Sequence, residues 1–239
     1  MFTNPEGSEY DRLFYPFLFA GGKANPDEVL AQVRHSTIEK CHEVVALRRA
    51  ELTASRDLIV ATGQSMVVAF ARGATLFAFG NGGSATDAQD MVTDLINPPR
   101  ADWHPLPALS LTNDIAVVTA VGNDVGYDNV FTRQVIAFGK PGDIAVGVST
   151  SGNSANVLVA LEQAKKQGLL TVGLVGNQGG EMLQASFIDF CILSPCDHIP
   201  RIQEGQATIY HSLLEIVHTQ IKERLSQAEV KPHEHEIHR

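Results

Sequence analysis

Only three cysteines, Cys41, Cys191 and Cys196, stand among 239 residues. An odd number with no CxxC pair excludes a disulfide framework and points to a reducing, cytoplasmic setting. No apolar run approaches the roughly 20 residues of a membrane span. The apolar cluster at residues 14 to 20 has no basic leader before it, so it reads poorly as a secretory signal. Basic residues are also scarce: 18 Lys and Arg face 27 Asp and Glu, giving a net charge of −9 and a pI near 5.4. That balance argues against a broad nucleic-acid surface, and neither nucleic acid nor membrane is the expected partner. No lysine follows the main glycine loop, and no acidic ribose partner follows a second strand at the expected distance, which removes both common nucleotide signatures.

What is present is alternation. With 44% hydrophobic and 19% charged residues, the chain has material for one sizeable α/β core. Residues 1 to 24 are aromatic and aperiodic and read as an arm. Asn25, Pro26, Asp27 and Glu28 then form a helix-start signal, and a helix is expected to about Ala54. Ser55 offers a cap for a second helix ending at Gly73. Strands are expected at 74–79, 106–111, 144–148, 170–175 and 187–193. Helices are expected at 85–97, 114–121, 129–138, 154–167, just after 179–180, and at 201–225. This pattern predicts one α/β domain over 25–226, a three-layer, flavodoxin-like doubly wound parallel sheet that begins with two N-terminal helices. The charged stretch 227–239 reads as a mobile tail whose histidines are either a disordered end or a metal catch.

Two loops follow two of these strands, at the ends where such sheets bind ligands. In the first, Gly80, Asn81, Gly82, Gly83 and Ser84 bring a nearly bare backbone to a helix start, suited to an anion or simply to a tight βα turn. In the second, Ser149, Thr150, Ser151 and Ser154 place four hydroxyls at another helix start, where they could surround a phosphate without a lysine. Ser154 could instead be only a helix cap.

The helix after the first loop carries Asp87, Asp90 and Asp94 on one face, spaced by three and four residues. Such a face is either solvated or a place where neighbouring carboxylates raise one another's proton affinity or attract a cation. The last helix carries Gln203, Glu204, His211, Glu215 and His218. His211 is either a surface histidine or a proton carrier.

Taken in order, GNGGS at 80–84, VGND at 121–124, STSGNSANV at 149–157, GGEM at 179–182 and RIQE at 201–204, with His211 beyond, resemble the sugar isomerase (SIS) domain family in its phosphoheptose isomerase branch. The match covers residues 40 to 225. The resemblance implies a homotetramer with sites between subunits that converts sedoheptulose 7-phosphate to the corresponding aldose phosphate through a cis-enediol, with no cofactor needed for the chemistry. It places phosphate at Ser84, Ser149, Thr150, Ser151 and Ser154, and the sugar at Asn81, Gly82, Gly83, Asp114 and Gln203. Its acid–base pair falls on Asp94 and His211. A divalent metal such as zinc, held in some relatives, would fall on Asp90, Asp94, Gln203 and His211. This chain departs from the pattern twice: Asp94 replaces a glutamate, and Asp90 replaces a histidine found in many members. The alternative is a non-catalytic SIS protein that binds a sugar phosphate or a replication-initiator partner.

Overall fold

The computed structural model describes residues 26–229. The arm at 1–24, the expected Asn25 cap and the histidine-bearing residues from 230 onward lie outside the described residues. The chain divides into two units, Met1–His42 and Glu43–Arg239. In the first, residues 26–42 are described, all helical and nearly all exposed.

Helix α1 spans Pro26–Phe70, 45 residues without a break. The expected division at Ser55 is therefore corrected. No proline follows Pro26 in this stretch, and Gly63 is its only glycine, so nothing in the backbone forces a stop. The hydroxyls that suggested a cap turn back onto their own helix or inward: Thr53 Oγ1 donates to the Arg49 carbonyl at 2.8 Å, and Ser55 is buried. Gly63 is where α1 meets the last helix, since a Cβ there would lie 2.8 Å from Ile216 Cγ2.

The remaining elements alternate. They are β1 (Leu76–Gly80), α2 (Gly83–Ile96), β2 (Ala108–Ser110), α3 (Ile115–Asp124), a 3-10 turn (Tyr127–Asn129) and α4 (Thr132–Phe138). Then come β3 (Ile144–Ser149), α5 (Ala155–Lys166), β4 (Leu170–Gly176), α6 (Gly180–Gln184), β5 (Phe190–Ser194) and α7 (Ile199–Glu229). All strand pairs are parallel, in the order β2-β1-β3-β4-β5. This is the flavodoxin-like order expected from the sequence, and the order reverses between β1 and β3.

Strand alternation sends β1 side chains to opposite faces of the sheet. Leu76 and Ala78 join Met91 and Leu95 of α2 and Leu213 and Val217 of α7 in one core. Phe77 and Phe79 join Phe131, Val157, Leu161 and Met182 in the other. With β1 and β3 buried along their whole length, their C-terminal ends emerge side by side. Both polar loops begin there.

Candidate functional site

Gly80 ends β1 in a position only glycine can fill. A Cβ there would lie 2.7 Å from the Ser84 and Val148 carbonyl oxygens, both fixed backbone atoms. Gly82 follows with φ 55°, a left-handed backbone that turns the chain into α2. Ser84 is buried on the first turn of α2.

Across the strand-order reversal, the second loop gathers its hydroxyls on Ser149. Ser149 Oγ lies 3.0 Å from Ser154 Oγ and 3.5 Å from Ser151 Oγ, and it accepts the Gly152 amide at 3.1 Å. Ser154 occupies the N-cap position of α5 yet makes no side-chain capping bond. The cap alternative is thus set aside for its hydroxyl, which faces its serine neighbours. The next loop braces this one from behind. Glu181 N donates to Asn153 Oδ1 at 2.8 Å, Met182 N donates to the Gly152 carbonyl at 3.0 Å, and a Cβ at Gly152 would strike the Gly179 carbonyl oxygen.

The two loops are tied by a contact that the sequence reading missed. Asn81 Nδ2 donates to Asn156 Oδ1 at 2.8 Å, and Asn156 Nδ2 donates back to Asn81 Oδ1 at 2.9 Å. The Tyr127 hydroxyl adds a third bond, to Asn81 Oδ1 at 3.1 Å. Asn156 lies inside the STSGNSANV stretch, and that was the available signal; Tyr127 had none.

Helices α2 and α7 run side by side in the same direction, which brings their polar faces together in register. A Cβ at Gly83 would overlap the Gln203 carboxamide, so Gln203 lies directly on the glycine loop. Seven residues further along each helix, the Tyr210 hydroxyl donates to Asp90 Oδ2 at 2.6 Å. His211 Nε2 is 3.5 Å from Asp94 Oδ2 and 3.6 Å from Asp90 Oδ2. The structure therefore joins Asp90, Asp94 and His211 in one cluster and places Gln203 at the loop. Asp114 is the N-cap of α3, its Oδ1 accepting the Ala116 and Val117 amides at 3.0 and 3.1 Å.

Asp87, one turn before Asp90, is a second feature that the sequence did not rank. Its Oδ2 is buried without a hydrogen-bond partner. Burial, and then the neighbouring Asp90 charge, push its proton affinity up to about 6. Tyr210 is shifted upward as well, by burial first and then by its bond to Asp90.

Of the four residues expected to hold a metal, Asp90, Asp94 and His211 cluster while Gln203 lies on the glycine loop. Among the described residues no group of three or more His, Cys, Asp and Glu side chains is placed to hold an ion. The carboxylate oxygen of Asp90 nearest His211 already accepts the Tyr210 hydroxyl hydrogen bond, and the Gln203 amide lies against Gly83, eight residues before His211. No helix among the described residues is long and apolar enough to cross a membrane.

Known proteins resemble the chain over most of its length. The SIS domain matches residues 41–176. The phosphoheptose isomerase of Roseiflexus sp. is 40% identical over 180 residues, 75% of this chain and 90% of the relative. That of Solidesulfovibrio magneticus is 45% identical over 175 residues, 73% and 84% of the two chains. Among solved structures, a phosphoheptose isomerase from Francisella tularensis superposes with a TM-score of 0.73 at 31% identity, covering 80% of this chain and 98% of the other. The phosphoheptose isomerase of Neisseria gonorrhoeae gives 0.72 at 30% identity, with 78% and 99% covered.

Proposed function

The chain belongs to the SIS domain family, among its phosphoheptose isomerases, and on that premise we propose that it interconverts sedoheptulose 7-phosphate and the aldose D-glycero-D-manno-heptose 7-phosphate. The observation that carries the chemistry is the 3.5 Å approach of His211 Nε2 to Asp94 Oδ2 beside the α2–α7 seam.

The ketose has its carbonyl at C2 and an acidified C–H at C1. A base removes one C1 proton, the electron pair forms the C1–C2 double bond, and the C2 oxygen takes up a proton, giving the cis-enediol. Reversing the sequence on the other carbon returns a proton to C2, releases the O1 proton and leaves the aldehyde at C1. In this reading Asp94 takes the carbon-bound proton and gives it back, while His211 moves protons on the oxygens, a role suited to an imidazole near neutral pH. The phosphate is held by the Ser149, Thr150, Ser151 and Ser154 hydroxyls together with Ser84, donors that need no lysine. Asn81, Gly82, Gly83, Asp114 and Gln203 line the sugar.

Ten residues of α2 separate Ser84 from Asp94, about 15 Å along the helix axis. An extended heptose phosphate does not reach that far from phosphorus to C1. This supports a homo-oligomeric site, within a homotetramer, in which the phosphate loops of one copy face the acid–base pair of another.

The test is a panel of C5 to C7 ketose phosphates assayed with and without chelator, following aldose formation. Turnover best on the C7 ketose phosphate supports the proposal. A protein inactive on every ketose phosphate overturns it.

A further inference from the structure

The Asn81 side chain of the first loop is held more completely than a ligand-binding residue on a glycine loop needs to be. Its Oδ1 accepts from Asn156 Nδ2 at 2.9 Å and from the Tyr127 hydroxyl at 3.1 Å, so both acceptor positions are filled. Its Nδ2 spends one hydrogen on Asn156 Oδ1 at 2.8 Å and keeps one without a partner among the described residues. The two anchors come from elsewhere in the chain. Asn156 is buried on the first turn of α5, 2% exposed, and Tyr127 is 57% exposed on the turn between α3 and α4. The Tyr127 ring lies beside Gly122 of the VGND stretch, where an added Cβ would be 3.8 Å from Cδ2.

A reciprocal amide pair is degenerate, because turning both carboxamides over restores the same two hydrogen bonds. In the turned state Asn81 would show an oxygen where it now shows an N–H. A phenolic hydroxyl gives its proton more readily than it accepts one, so its place beside Oδ1 favours the present orientation. We propose that Tyr127 and Asn156 are positioning residues that lock the Asn81 carboxamide with its one free N–H available to the sugar. The proposal rests on the isomerase reading, in which Asn81 lines the sugar site. A donor fixed in advance needs no reorganisation when negative charge develops on the sugar oxygens of the enediol, and that is where such donors act most strongly.

The test compares Tyr127→Phe in two backgrounds and adds a readout that does not depend on turnover. In the wild-type background Tyr127→Phe lowers kcat/KM for the ketose phosphate by about fivefold, the effect of one neutral hydrogen bond. In an Asn81→Ser background it has no further effect, because both changes act through one amide. Inhibition by inorganic phosphate, held by the serine loop, is unchanged. The Asn81 side-chain amide signals, assigned by their loss in Asn81→Ser, exchange with water faster in Tyr127→Phe. Asn156→Asp, which keeps the acceptor and removes the donor, has the same direction of effect. A full Tyr127→Phe effect that persists in Asn81→Ser, or an amide exchange rate that does not change, overturns the lock. Absence of any turnover by the unaltered protein overturns the isomerase reading instead, and the amide exchange then decides the lock by itself.

Discussion

The Tyr210 hydroxyl donates a 2.6 Å hydrogen bond to Asp90 Oδ2, the same carboxylate oxygen that lies 3.6 Å from His211 Nε2. The bond joins α2 to α7 and holds Asp90 while Asp94 faces the imidazole. Tyr210→Phe removes one hydrogen bond to a charged group, so about 2 kcal/mol of stability is lost. Chemical denaturation checks this, and kcat should fall less than in any variant of Asp94 or His211.

Gly83 and Gly80 differ in what they guard. In Gly83→Ala the new methyl overlaps the end of the Gln203 side chain, which can swing away. The fold should survive, with Tm within a few degrees of wild type, while activity falls by about tenfold or more through the displaced Gln203. In Gly80→Ala the methyl meets two backbone carbonyls that cannot move independently. That variant should lose about 3 kcal/mol of stability, and thermal melts of the two proteins separate the cases.

Ser154 tests the phosphate assignment because its hydroxyl faces Ser149 at 3.0 Å and makes no capping bond. Ser154→Ala should raise KM for the sugar phosphate about tenfold, the effect of losing a hydrogen bond to a charged group. Its melting temperature should hardly change. A structural cap would behave the other way, with about 1 kcal/mol lost and KM unmoved.

Asp87 gives the protein a specific pH dependence. Its folded-state pKa, pushed up to about 6 from the usual 3.8 mainly by burial, means that the folded state binds its proton more tightly than the unfolded chain does. Stability from this group is therefore fully present below about pH 4 and is lost as pH rises through 6. Asp87→Asn removes the loss. Relative to wild type, the variant should gain about 2 kcal/mol between pH 4 and pH 7, measured by denaturation at each pH.

Much of this was legible in the sequence, for reasons that particular residues make plain. β1 and β3 are continuous apolar runs ending in loop residues, so strands, loops and sheet class followed from composition and order. α1 was divided in error because Ser55 resembles a cap, and only tertiary burial shows that it lies within a helix. Asn156 and Tyr127 were missed because their partner Asn81 is 75 and 46 residues away, a separation that no local pattern encodes. Asp87 was read with Asp90 and Asp94 as one acidic face. Their different fates depend on α7 covering that face, with Tyr210 meeting Asp90 and His211 meeting Asp94.

If the phosphate loops of one copy serve the acid–base pair of another, two dead variants should repair each other. Ser151→Ala and His211→Ala, each impaired alone, should regain part of the wild-type rate when mixed under conditions that exchange subunits. A mixture no faster than the sum of its parts would place both halves of the site in one chain.

The most direct measurement follows aldose phosphate formed from sedoheptulose 7-phosphate by the wild-type protein, Asp94→Asn and His211→Ala, with folding of each checked by thermal melts. The account predicts turnover by the wild type and a loss of at least about 10²-fold in each folded variant, the lower range for removing a general acid or base. Wild-type turnover that survives in either folded variant would contradict the assignment of Asp94 and His211 as the acid–base pair.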